Sequence, residues 1–273
     1  MEDNNRKLSS DESSLMSINE LLKNNDQYLL NIIHDLRSHL NVITSAAQFM
    51  EHNYKDDKNL KCIEIIKRNS FKMLKLINNL IDSNKIKNNY YKLNKKNIDI
   101  VPMIENTISC IEKFASERNI NLIFDTNEEE CIMAIDPEAI DRVIMNLLSN
   151  AIKFSNENSN IYINLVVKDK EIELSFKDEG CGISKEEKER IFDRFYQGND
   201  NIEGSGIGLN LCMLFVKAHD GKIFLESEIN KGSIFTVILP RKIEDHIETV
   251  KEEGNLINKN QAVEIEFSDT YKF

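Results

Sequence analysis

A helical hairpin followed by an α+β sandwich is the fold class that this 273-residue sequence predicts. Three observations carry it. Apolar residues recur at alternating spacings of four and three through two runs near the N-terminus, the period of helix seams packed on other helices. After Tyr90 short β-like runs alternate with amphipathic stretches, as in a sheet covered by helices. Six of the nine glycines (Gly180, Gly182, Gly198, Gly204, Gly206 and Gly208) fall in a 29-residue window, a loop-rich region set into that sandwich.

The elements follow in order. Residues 1–14 are polar and expected to fray. The first seam comprises Leu29, Ile33, Leu36, Leu40, Ile43, Ala47 and Met50; a polar break at His52–Lys58 supplies the turn. The second seam is Ile63, Ile66, Ser70, Met73, Ile77 and Leu80. A hairpin alone cannot bury both faces, so two copies forming a dimeric four-helix bundle are expected, which makes the chain a homodimer. Ile98–Arg118 reads as a short strand running into an amphipathic helix, and Asn121–Phe124 and Cys131–Ile135 as strands. Asp136-Pro137 starts a helix, with Asp as cap and Pro at the first position. Ile161–Val167 and Glu171–Phe176 form a hairpin; a helix over Gly206–His219 and strands at Lys222–Glu226 and Ser233–Leu239 close the sandwich. The domains are therefore expected at 1–14 (disordered), 15–92 (hairpin), 93–240 (sandwich) and 241–273 (an acidic tail with little stable structure).

Composition excludes several classes of function. The net charge of −11 argues against nucleic-acid binding, which needs Lys and Arg against phosphates. The basic cluster at Lys61–Lys96 reads as a solvated helix face. Five cysteines without a C-x-x-C pair read as reduced thiols, not disulfides or a zinc site. No apolar stretch approaches the ~20 residues of a membrane span, and the polar N-terminus is not a signal peptide. A soluble, cytoplasmic chain is the expectation.

The chemistry-bearing residues lie in three places. His34 sits one residue past the seam position Ile33, followed by Asp35; a neutral imidazole is a nucleophile near neutral pH, and an adjacent carboxylate can hold its other nitrogen. Asn146, Asn150 and Lys153 share a helix face at spacings of four and three. Amide oxygens suit Mg²⁺, which takes few protein ligands, and Lys153 can meet phosphate as a point charge. Asp178-Glu-Gly-Cys-Gly182 and Gly204-Ser-Gly-Ile-Gly-Leu209 form two glycine clusters, the second opening a helix whose N–H groups favour phosphate. Each feature by itself has a plain structural reading: a solvated His–Asp pair, a polar helix stripe, turn glycines.

Taken in order, the series is specific. His34-Asp-Leu-Arg37, Asn146-x-x-x-Asn150-Ala-Ile-Lys-Phe154, Asp178-x-Gly-x-Gly182, Ile191-Phe-Asp-Arg-Phe195 and Gly204-x-Gly-x-Gly208 resemble the H, N, G1, F and G2 boxes of two-component sensor histidine kinases. The resemblance spans roughly Leu29 to Pro240. It implies a Bergerat-type ATP-binding domain behind a dimerisation and phosphoacceptor hairpin. It also implies that ATP with Mg²⁺ phosphorylates His34, that Asp35 orients the imidazole and acts as base, and that the phosphoryl group passes to an aspartate of a response-regulator receiver domain. Asn146 and Asn150 would serve the Mg²⁺–triphosphate site, Asn150 directly. Lys153 would contact phosphate, Phe154 pack near the nucleoside and Asp178 accept from the adenine amino group. Gly180, Gly182, Gly204, Gly206, Gly208 and Leu209 would shape the pocket and its lid, residues 196–205, with Phe192 and Phe195 packing beneath it. Related ATPases carry Glu where this chain has Asn146, so water activation is expected to be poor.

Two residues depart from the family pattern. His39 stands where Pro is common five residues after the histidine, and Ser38 where phosphatases of the family carry Thr or Asn. Ser38 keeps a hydroxyl, which leaves phosphatase activity open. The alternative to the kinase is a nucleotide-binding scaffold or a phosphatase toward a response regulator; a standalone ATPase is opposed by the hairpin and by Asn146. No sensor domain is recognised in residues 1–28, which fits an orphan kinase or a chain whose sensor has been cut away. For the tail, docking or autoinhibition is the open expectation.

Overall fold

A computed structural model of the chain describes residues 36–37, 40–50, 57–87, 90–198, 206–246 and 256–270. The chain divides into two compact units, Met1–Ser70 and Phe71–Phe273. Among the described residues no helix is long and apolar enough to cross a membrane.

In the first unit, α1 (residues 40–50, with 36–37 also helical) is followed by α2 (Asp57–Lys87), whose later turns belong to the second unit. Leu40, Thr44, Ala47, Ile63 and Ser70 are buried, at the spacing of the expected seams. Leu36, Ile43 and Ile66 are 43%, 45% and 40% exposed, although the heptad period placed them in the same seams. The period marks an apolar stripe, but a stripe position is buried only where another element covers it. Leu29 and Ile33 lie outside the described residues.

The expected hairpin–sandwich boundary was 92–93, whereas the compact units part at 70–71. Polar contacts explain the difference. Asp82 pairs with Arg142, and Asn84 accepts from the Arg194 guanidinium at 3.1 Å, so the end of α2 is held by the second unit.

The second unit is a mixed sheet under a helical layer. Strands β2 (Asn121–Thr126), β4 (Asn160–Val167), β5 (Glu171–Lys177), β6 (Lys222–Glu228) and β7 (Gly232–Pro240) form it in the order β2-β4-β5-β7-β6. Only β2 and β4 pair in parallel, which requires a crossover rather than a tight turn. That crossover contains β3 (Ile132–Ile135), paired with β1 (Lys96–Asp99), and α4 (Pro137–Phe154). Phe124, Ile163, Phe176, Phe235 and Leu225 are in register across all five strands. This row faces α3 (Ile100–Ser116), α4 and α6 (Gly208–Ala218), which follows the one-turn α5 (Lys185–Lys188), while the alternate positions Tyr162 and Phe224 are exposed on the bare side.

Helix α4 starts where Asp136-Pro137 predicts. Asp136 Oδ1 accepts from the Ala139 N–H at 3.2 Å, and its Oδ2 from the Asn94 N–H at 2.9 Å. The backbone N–H of Asp136 donates to His219 Nε2 at 3.0 Å, joining the start of α4 to the end of α6.

The tail departs from expectation. Asn97, 2% exposed, donates to the Glu244 carbonyl and accepts from the Glu244 N–H, tying residues beyond β7 to β1. Farther on, α7 (Leu256–Glu266) and a 3-10 turn (Phe267–Asp269) pack on α3 and α4. Val263 and Phe267, one helical turn apart, are 1% and 0% exposed, and the Phe267 ring lies 5.1 Å from that of Phe114. Two anchors at this spacing suffice to seat a helix whose remaining positions are mostly polar.

Candidate nucleotide site

The site begins on α4. Asn146, Asn150 and Lys153 lie on the face that borders a cavity of about 210 Å³. Asn146 is buried, and Gly208 lies hard against it: a Cβ on Gly208 would stand 2.1 Å from Asn146 Oδ1. The C-terminal end of α4, where Lys153 sits, is capped from just beyond α3. Arg118 donates to the carbonyls of Ile152, Lys153 (3.1 Å) and Ser155 (3.2 Å), satisfying oxygens that the helix end leaves open.

From there the backbone leads to β5. Ser155 bridges Gly180, and a Cβ on Gly180 would meet the Phe154 carbonyl oxygen at 2.6 Å. That packing holds Asp178 at the cavity wall. Its Oδ1 accepts from the N–H groups of Gly180 (2.9 Å) and Ser233 (3.2 Å). Burial raises its pKa, and these two donors oppose the rise. With Oδ1 so engaged, Oδ2 is the oxygen available to a ligand N–H. Gly182, at φ +70°, passes so close to β6 that a Cβ would fall 2.0 Å from the Glu228 carbonyl oxygen.

The third wall is the start of α6. Ile207 precedes it and its apolar side chain makes no cap, and Gly208 and Leu209 of the first turn line the cavity. Gly206, at φ +64°, accepts from the Phe195 N–H at 2.7 Å, and a Cβ would strike Tyr196 O at 2.6 Å. Phe195 itself holds φ +66°, a conformation an aromatic residue adopts only under local constraint, with the Arg194 guanidinium 4.9 Å above its ring.

Of the residues singled out from sequence, Asn146, Asn150, Lys153, Phe154, Asp178, Gly182, Gly206, Gly208 and Leu209 line this one cavity. Gly180 does not line it but supports Phe154 from behind. Phe192 packs edge-on against Phe235 at 6.5 Å, beneath the cavity-lining Phe235. His34, Asp35, Ser38, His39 and Gly204 lie outside the described residues, as does most of the expected lid.

The cavity lining also holds residues that were not anticipated, among them Lys75 on α2 and Asp269 in the tail. Lys75 falls in the cluster read as a solvated helix face, yet its side chain is 12% exposed. It donates to Asp269 Oδ1 at 2.8 Å and to the Glu266 carbonyl at 2.5 Å. Burial pulls its pKa down, but Glu266 and Asp269 outweigh that, and the net shift is upward. Asp269 also faces Lys153 at 3.6 Å. Burial alone would raise its pKa; Lys75 and Lys153 more than reverse this, and the carboxyl is held below its usual range.

Among the described residues no three His, Cys, Asp or Glu side chains converge as a metal cluster. The cavity is lined instead by the amides of Asn146 and Asn150, the ammonium groups of Lys75 and Lys153 and the separate carboxylates of Asp178, Glu187 and Asp269. The two amide oxygens would fit Mg²⁺ carried in on phosphate oxygens and water.

Residues 135–243 match the family described as Histidine kinase-, DNA gyrase B-, and HSP90-like ATPase. The chain is 29% identical over 226 residues to the sensor histidine kinase WalK of Bacillus subtilis (strain 168), covering 80% of this chain and 37% of that protein. It therefore spans well under half the length of that relative. In fold it is similar to full-length ShkA, whose crystal structure is in complex with AMPPNP (TM-score 0.69, 18% identity, 89% of this chain and 54% of that one). It is similar also to the histidine kinase ThkA, solved in complex with the response regulator protein TrrA (TM-score 0.54, 24% identity, 78% of this chain and 60% of that one).

Proposed function

We propose that this chain, a relative of the sensor histidine kinases with an ATPase domain of their kind, transfers the γ-phosphoryl group of ATP to its own His34. From there the group passes to an aspartate of a response-regulator receiver domain. The observation that carries the reading is the composition of the cavity: amides and an ammonium from one face of α4, opposite a buried carboxylate whose Oδ1 is occupied by two backbone donors.

Asp178 accepts from the adenine amino group, and Phe154 flanks the base. Lys153 and the N-terminal N–H groups of α6 meet the phosphates. Asn150 and Asn146 would hold Mg²⁺ brought in with ATP, which would supply neutralisation of the triphosphate's charge. Asn146 cannot accept a proton, so water is left unactivated and the phosphoryl group stays available for imidazole. The His34 nitrogen forms the new N–P bond, the bond to the β–γ bridging oxygen breaks, and Asp35 holds the other ring nitrogen and takes up the proton. The exposed Leu36, Ile43 and Ile66 support a homodimer in which a second hairpin covers them. Use of ATP and five cysteines without a C-x-x-C pair suit a cytoplasmic setting.

Incubation with γ-labelled ATP and Mg²⁺ tests this. Acid-labile, base-stable label is expected on the wild-type chain and not on His34→Gln or Asn150→Ala. Nucleotide binding without any label on wild type would replace the kinase by the scaffold or phosphatase reading.

A further inference from the structure

We infer that the C-terminal segment, residues 256–270, is a built-in competitor of the nucleotide's phosphates, with the Asp269 carboxylate standing where a phosphate oxygen would pair with Lys153. The inference rests on the reading of the cavity as a nucleotide site.

The segment is seated independently of that carboxylate. Phe267 is 0% exposed against Phe114, Val263 is 1% exposed, and Lys259 pairs with Asp141 of α4 at 3.1 Å. Asp141 is itself braced by the Thr107 hydroxyl at 2.5 Å. These contacts fix α7 on the outer side of α3 and α4, and the 3-10 turn after it then carries Asp269 over the C-terminal end of α4. There its two oxygens divide between two ammonium groups, Oδ1 to Lys75 at 2.8 Å and Oδ2 to Lys153 at 3.6 Å. All three side chains line the cavity and are 10–14% exposed. A carboxylate between two partly desolvated lysines has the charge and acceptor geometry of a bound phosphate.

Competition follows from charge. A triphosphate reaching Lys153 meets a carboxylate of the same sign already there, so one anion must leave before the other can enter. Apparent affinity is then the intrinsic affinity multiplied by the fraction of molecules in which the tail is undocked; a tail docked nine-tenths of the time weakens ATP about tenfold. Adenosine carries no phosphates and does not contend with Asp269.

Calorimetry on the full chain, with adenosine and AMPPNP as probes, tests the inference. Asp269→Asn keeps the shape and the Phe267 anchor while removing the charge, so it is expected to fold with an unchanged hydrogen-exchange pattern in α3 and α4. AMPPNP should bind this variant about tenfold more tightly than wild type, with adenosine affinity unaltered. In the wild-type chain, saturating AMPPNP should lower amide protection across residues 261–270, and adenosine should not. Equal or weaker AMPPNP binding by Asp269→Asn, or tail protection that persists or rises with AMPPNP, would overturn the competition while leaving the nucleotide site intact. Failure of adenosine and AMPPNP to bind either form would overturn the nucleotide reading, and this inference with it.

Discussion

Gly208 and Asn146 are fitted to each other: the first residue of α6 leaves only the room of a hydrogen atom beside the buried amide of α4, since a Cβ would stand 2.1 Å from Asn146 Oδ1. The glycine at this position is therefore a packing requirement between two helices, in addition to any approach of a ligand to the backbone.

Gly208→Ala is expected to push α6 and Asn146 apart. Overpacking of this kind costs about 1–3 kcal/mol, and the nucleotide wall shared by both helices moves with it. Thermal unfolding should show the lower stability, and titration with AMPPNP a weakening of about tenfold or more. Wild-type affinity in the variant would mean that the contact relaxes without disturbing the site.

Asp178→Asn separates binding from folding. An amide oxygen can still accept from the Gly180 and Ser233 N–H groups, and burial already disfavours the charged carboxylate, so the melting temperature is expected to hold or rise. Adenosine affinity is expected to fall by about tenfold or more, because the atom at the Oδ2 position becomes a donor facing the adenine amino group. Unchanged adenosine binding would remove Asp178 from the site.

His219 links stability to pH. Its Nε2 accepts from the Asp136 N–H while Nδ1 donates to the Phe215 carbonyl at 2.8 Å, an arrangement only the neutral ring can make. Burial lowers its pKa below the ordinary 6.5, against the smaller upward pull of the Phe215 carbonyl and Asp136. Below pH 6.5 the unfolded chain thus binds a proton that the folded chain resists. Stability from this group is full above 6.5 and falls as pH drops toward the folded value, by up to about 1.4 kcal/mol per pH unit. The stability advantage of wild type over His219→Gln, measured by denaturant unfolding, should shrink from pH 7.5 to pH 5. A constant gap would show that His219 is not the group responsible.

Much of the sandwich was legible because its signals are local. Asp136-Pro137 starts α4 with a carboxylate three residues from its donor, the Ala139 N–H, and the alternation in Ile161–Val167 and Glu171–Phe176 sets which strand face is buried. Nine of the expected site residues meet at one cavity, brought there by the helical period along α4 and by the glycine turns that follow β5 and precede α6. The seams of α1 and α2 were legible as a period but not as burial: Leu36, Ile43 and Ile66 obey the heptad and remain exposed in the single chain.

The sequence by itself determined the order of β1 to β7 and of α3, α4 and α6 among them, the face of α4 that carries Asn146, Asn150 and Lys153, and the crowding of glycines around the site. These depend on periods and caps written within a few residues of one another. Only the tertiary structure decided that Lys75 leaves its basic cluster to pair with Asp269, and that a polar tail seats a helix through Val263 and Phe267. Lys75 and Asp269 stand 194 positions apart. A lysine reads the same in any sequence whether water or a carboxylate surrounds it; burial, which multiplies the strength of the pair, exists only once the chain has folded around both.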